Sequence, residues 1–134
     1  MTLGARAIVE NVDGKVLLVR HTYTKGLYLP GGGVEGGETV EQTIRKELQE
    51  EAGIHVSGTP VQMGLYSNHR IMRNDHVILF RIRATDWAQT GAPDAREISE
   101  NVWCDPLNPP LDATPATKRR LQEVFGDADG SEYW

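Results

Sequence analysis

Cysteine occurs once in this chain of 134 residues, at Cys104, so no intrachain disulfide can form and a thiolate metal cluster is excluded. Long apolar runs are missing too, and nothing approaches the roughly 18 residues that a membrane-spanning helix needs. The stretch from Met1 to Ala7 lacks the basic start and the apolar segment of a signal peptide, which sets the expectation of a cytoplasmic protein. Positive charge is scarce. Fourteen Lys and Arg stand against 19 Asp and Glu, a formal net charge of −5, whereas gripping a nucleic-acid backbone needs a basic surface. Neither a membrane partner nor a stable nucleic-acid complex is expected. The four histidines, His21, His55, His69 and His76, show no zinc-ligand spacing, and no Gly-Lys-Ser or Gly-Lys-Thr follows the glycines to make a P-loop.

What the chain has in excess is glutamate, concentrated in one place. Between Gly31 and Ile54 lie Glu35, Glu38, Glu41, Glu47, Glu50 and Glu51, against only Arg45 and Lys46. Glu47, Glu50 and Glu51 fall at helical spacing and crowd one face. Like charges so placed cost roughly 0.2–0.5 kcal/mol per pair in an isolated helix. A cation at that face relieves the repulsion, and hard carboxylate oxygens suit Mg²⁺ or Mn²⁺. On helical spacing Lys46 reaches Glu50 and Arg45 reaches Glu41.

The length is that of a single domain, residues 1–126, with 127–134 as a loose tail. Ala5 to Glu10 and Lys15 to Arg20 read as strands of a hairpin turned at Asn11 to Gly14. Leu27 to Leu29 reads as a short strand stopped by Pro30, and the glycines from Gly31 to Gly37 as an irregular loop. Thr39 and Gln42 form a capping box ahead of Val40, Ile44, Leu48 and Ala52, with Gly53 as the stop. Val61 to Ser67, Val77 to Ala84 and a strand ending at Val102 to Cys104 follow, with Asn68 to Asp75 as a loop. Thr114 and Pro115 open a last helix that carries Leu121 and Phe125 and stops at Gly126. Strands, helix, strands, helix predict an α/β (α+β) sandwich with a mixed β-sheet rather than a βαβ repeat.

Gly32, five residues, Glu38, seven residues, Lys46-Glu47-Leu48-Gln49-Glu50-Glu51, then Ala52-Gly53-Ile54: this run resembles the Nudix box, the signature of the Nudix hydrolases. Eight of its nine specified positions match, the departure being Lys46 where the family usually carries arginine. The resemblance implies an α/β/α sandwich with a mixed sheet and metal-dependent hydrolysis of a phosphoanhydride. The substrate it implies is a nucleoside diphosphate linked to another group, with Mg²⁺ or Mn²⁺ as cofactor and a homodimer as one assembly. It assigns Glu47, Glu50 and Glu51 as metal ligands and catalytic residues, joined by Gly32 in the metal set, with Glu38 in a supporting, substrate-side role. Lys46 takes the place of an arginine that orients a catalytic glutamate, and offers a point charge where the guanidinium offers a fork. Glu97, six residues before Trp103, resembles a further family glutamate that serves as metal ligand or general base; Glu100 competes for that role.

Arg6, Arg20, Tyr28, Gly32, Gly33, Asn68 and Arg70 are candidates for contacting phosphate, ribose or base, by charge, backbone N–H, stacking and hydrogen bonding. His69 and Arg73 are weaker ones. Leu27 sits where many relatives carry an aromatic residue, which removes one stacking platform. A non-catalytic nucleotide sensor on the same fold is the alternative, and the full set of box carboxylates argues against it. A Nudix-fold isomerase of isoprenoid diphosphates needs a catalytic cysteine, and Cys104 lies at no suitable position.

Overall fold

The computed structural model describes residues 1–134. Its strands are β1 (Thr2–Val9), β2 (Val16–His21), β3 (Gly31–Gly33), β4 (Ile54–Val56), β5 (Val61–Ser67), β6 (Asp75–Ile82), β7 (Trp87–Gln89) and β8 (Ile98–Cys104). Two helices, α1 (Val40–Ala52) and α2 (Pro115–Phe125), complete the fold. A mixed sheet of order β3-β1-β6-β5 forms the centre, with β1 parallel to β6 and antiparallel to β3, and β5 antiparallel to β6. β2 pairs antiparallel with β8, and β4 with β7. No helix is long and apolar enough to cross a membrane.

Alternation along the strands divides the core into two layers. Ala5, Ala7, Val9, Leu17, Val19, Phe80 and Ile82 join Ile44, Leu48 and Ala52 of α1 on one side. Ile8, Val16, Leu18 and Leu79 join Leu121 of α2 on the other. Successive strand residues point to opposite faces, so each strand serves both layers, and the expected α/β/α sandwich results. Ile44 and Leu48 are wholly buried, and truncating either to Ala removes about 2–5 kcal/mol. α1 starts and stops as its sequence demands, with the Thr39–Gln42 capping box intact and Gly53 in the left-handed conformation at φ 65°.

Several elements depart from expectation. The turn at Asn11 exists, its side chain accepting from Asp13 N and Lys15 N, but the flanking strands share only the Glu10–Val16 bridge. They part because β1 inserts between β3 and β6 while β2 leaves to pair with β8. Leu27 to Leu29 forms no strand and makes isolated bridges, Leu27 to Ala113 and Tyr28 to Val19. The strand lies instead in the glycines Gly31–Gly33, which pair with Gly4, Ala5 and Arg6. Gly31 runs so close to β1 that an added Cβ would sit 1.9 Å from Ala5 O, at φ 153°; only glycine permits that approach. Residues 131–134, expected as a loose tail, hydrogen-bond to Ser67 of β5 and to α2.

Candidate active site

The bare glycine strand β3 brings backbone to the acidic face of α1. Gly31 N donates to Glu51 Oε1 at 2.8 Å, and His21 Nε2 lies 3.1 Å from Glu51 Oε2. Glu51 is thereby fixed and nearly sealed, with 4% of its surface exposed. One turn earlier, the Glu47 carboxylate rests on Gly32, where a Cβ would come within 2.6 Å of the carboxyl carbon. Glu50 is exposed, and its backbone carbonyl accepts from Asp94 N at 2.8 Å. The three glutamates thus share one helix face but hold different stations: Glu51 locked, Glu47 half-buried, Glu50 open.

Their mutual repulsion bears on Glu47. Burial, then the charges of Glu51 and Glu50, push its carboxyl up to about 7, with Lys46 and Arg6 pulling back only in part. A carboxylate driven toward its protonated form by burial and by neighbouring negative charge gains from a divalent cation that supplies positive charge. No three His, Cys, Asp or Glu side chains stand close enough together to hold a metal ion as they lie.

Neither cation of the box pairs as helical spacing suggests. Lys46 Nζ donates to Glu38 Oε2 at 2.7 Å and lies 3.8 Å from Glu35 Oε2, so it turns toward the loop and not to Glu50. Glu38 Oε1 also accepts from Thr43 Oγ1 at 3.0 Å and Glu35 N at 3.1 Å. Hydrogen bonding to Lys46, then to Glu35 N, holds the Glu38 carboxyl below its ordinary range. Glu38 therefore braces the loop ahead of α1. Arg45 ignores Glu41 and donates to Val56 O at 2.7 Å and Gly58 O at 2.8 Å, tying α1 to β4.

The other candidates separate cleanly. Arg6, Tyr28, Asn68 and Arg70 line a cleft of about 630 Å³ that Leu29, Ile71, Thr114 to Thr117, Arg119, Ser131, Tyr133 and Trp134 complete. Arg6 donates to Leu29 O at 3.0 Å and its charge reaches Glu47, so it stands between cleft and acidic face. Asn68 spends its amide on Asp75 Oδ2 at 2.9 Å. Arg20 is not free for phosphate, being paired with Glu100 at 2.9 Å and Asp112 at 2.8 Å. That contact also occupies Glu100, the competitor of Glu97. Gly33 is exposed and pairs with Gly4.

Glu97 is exposed, and its backbone carbonyl accepts from Thr22 N at 2.8 Å, which sets it beside the end of β2. The Tyr23 hydroxyl reports that neighbourhood. It is pushed up first by partial burial and then by Glu51, with Glu97 and Glu47 adding and Arg6 opposing. Sequence reasoning missed Tyr23 and His21, whose ring packs between Tyr23 at 5.1 Å and Tyr28 at 5.3 Å. No local signal marks either, because the partner Glu51 lies 30 positions away from His21.

Comparison with known proteins identifies the family and the fold. The sequence model of the NUDIX domain matches residues 1–124. The chain is 30% identical over 106 residues to an 8-oxo-dGTP diphosphatase of Haemophilus influenzae, covering 75% of this chain and 74% of that protein. It is 39% identical over 74 residues to an ADP-ribose pyrophosphatase of Methanocaldococcus jannaschii, covering 53% and 43% respectively. In three dimensions it superimposes on the MutT NUDIX hydrolase of Burkholderia pseudomallei with a TM-score of 0.75. That match has 22% identity and covers 92% of this chain and 97% of the other, which shows a shared fold.

Proposed function

Because the chain belongs to the NUDIX domain family and is a Nudix hydrolase, we propose that it hydrolyses a phosphoanhydride bond in a nucleoside diphosphate linked to another group. The observation that carries this reading is the built acidic face, with Glu51 held by Gly31 N at 2.8 Å and Glu47 resting on Gly32, together with a cleft that Arg6 lines. Relatives acting on 8-oxo-dGTP and on ADP-ribose support the nucleotide class. Glu47, Glu50 and Glu51 would hold Mg²⁺ or Mn²⁺, with the Gly32 backbone alongside. When bound, the ion polarises a phosphoryl oxygen and offsets charge on the leaving group.

The protein's own groups supply the rest. Gly31 and His21 hold Glu51 in one orientation, so no reorganisation is needed when substrate arrives. Arg6 places positive charge where phosphate oxygens pass from cleft to acidic face. Tyr28 offers an aromatic surface in the cleft. Glu97 is the general base in this reading: it is exposed and it shares the electrostatic neighbourhood of Glu47 and Glu51 at Tyr23.

Turnover across dNTPs, 8-oxo-dGTP, ADP-ribose, nucleotide sugars and dinucleoside polyphosphates tests the proposal, with Mg²⁺ or Mn²⁺ and product identification. Release of a nucleoside monophosphate or a phosphate-containing product from at least one class is expected. Silence across the panel with both ions, combined with tight nucleotide binding, would turn the reading to a sensor.

A further inference from the structure

The last residues are built into the cleft. Ser67 N donates to Glu132 O at 2.7 Å and Trp134 N donates to Ser67 O at 2.9 Å. Ser67 and Tyr133 thus pair in parallel, extending the edge of the sheet beside β5. Two arginines of α2 grip the same segment. Arg119 Nη2 donates to Trp134 O at 2.7 Å, and Arg120 Nη1 to Tyr133 O at 2.9 Å and Trp134 O at 2.8 Å.

Arg120 is 0% exposed, its guanidinium 4.3 Å from the Tyr66 ring and 5.1 Å from the Trp134 ring. Its Nη2 donates to Glu123 Oε2 at 3.1 Å. Releasing the segment would strip a buried cation of two of its acceptors and of an aromatic face, a costly change. The segment is therefore a fixed wall.

That wall presents an aromatic side chain to the cleft. Leu27 is core, 1% exposed, whereas Tyr133 is 38% exposed and lines the cleft with Tyr28. The Arg70 guanidinium stands 4.5 Å from the Tyr133 ring centroid and the His69 ring 5.3 Å away. The loop after β5 and the chain's last residues so meet over the cleft, each steadying the other.

We propose that Tyr133, steadied by Arg70, is a specificity-determining residue that receives the nucleobase of the substrate. Aromatic rings and guanidinium planes stack on bases. This rests on the nucleotide reading above.

Steady-state kinetics of Tyr133→Ala and Tyr133→Phe test it, on the best nucleotide of the panel and on its abasic analogue, in which hydrogen replaces the base. Tyr133→Ala is expected to raise KM for the nucleotide about tenfold with kcat within about twofold, while Tyr133→Phe stays within about twofold in both. KM for the abasic analogue should move less than about twofold. An unchanged nucleotide KM in Tyr133→Ala would overturn the proposal. So would an equal rise for the abasic analogue, which would assign Tyr133 a purely structural role. If the wild type turns over nothing, the hydrolase reading fails separately, and calorimetric binding of dGTP and its abasic analogue to the same variants decides the role of Tyr133.

Discussion

His21 and Glu51, from β2 and α1, form a buried pair with Nε2 3.1 Å from Oε2, and the other carboxylate oxygen is held by Gly31 N. The pair fixes the glutamate that stands deepest in the acidic face. His21→Phe leaves Glu51 Oε2 buried without its partner, and about 1–3 kcal/mol of stability should be lost in denaturant unfolding. His21→Gln keeps a donor and should lose less. A smaller loss in His21→Phe than in His21→Gln would mean that packing of the ring on Tyr23 and Tyr28 matters and the hydrogen bond does not.

Glu47 makes stability depend on pH. Its folded-state pKa, raised to about 7 from 4.5, means that the folded protein keeps a proton which the unfolded chain releases. The associated stability is full below the unfolded value and is lost as pH rises through about 7. In metal-free protein, chemical unfolding should show stability falling between pH 5 and pH 8. After discounting for a half-exposed group, the change is about 1 kcal/mol. Glu47→Gln should flatten that fall.

Metal binding should reverse the protonation of the same residue. Ligation requires the carboxylate, so Mn²⁺ binding at pH 6 should release protons and weaken as pH drops further below 7. Calorimetry in two buffers of different ionisation enthalpy measures the release. Proton-independent binding would remove Glu47 from the ligand set.

Lys46 faces Glu38 and the loop, so arginine can take over its position without disturbing Glu50. Lys46→Arg should preserve or raise turnover, since a guanidinium can reach Glu38 as a fork. Lys46→Met should lower kcat/KM on the order of tenfold by loosening the brace that Glu38 makes to Thr43 and Glu35 N, a loss in the range for supporting contacts. A large loss in Lys46→Arg would show that the ammonium has a task of its own.

For Glu97 the expected outcome is chemical. Glu97→Gln removes a base while leaving the backbone bond to Thr22 N, so kcat should fall about 10²–10⁴-fold at unchanged melting temperature. Full activity with magnesium saturating would remove that role from Glu97.

Legibility in the sequence followed the range of each interaction. α1 was readable to the residue because its capping box, its apolar stripe and its Gly53 stop all lie within one segment. α2 was readable likewise from Thr114 and Pro115. β3 was not, since a strand of glycine carries no side-chain pattern and exists only because β1 runs against it. β4 and β7 were too short, at three residues each, to show alternation. The expected partners of Lys46 and Arg45 were wrong because both side chains leave the helix, Lys46 for Glu38 in the loop just before α1 and Arg45 for the carbonyls of Val56 in β4 and of Gly58.

By itself the sequence determined that three carboxylates share a helix face without enough cations nearby, because helical spacing and charge are local properties. It thereby marked where a cation belongs. The tertiary structure decided how those carboxylates differ, since burial and long-range hydrogen bonds set each one's state. Gly31, 20 positions from Glu51, and His21, 30 positions away, lock one of the three. Gly32 shelters a second, and the third is left open. The tertiary structure also decided that Arg20 is spent on Glu100, 80 positions away, and that Tyr133 reaches the cleft. Contacts of that span arise only when the sheet closes and distant segments meet.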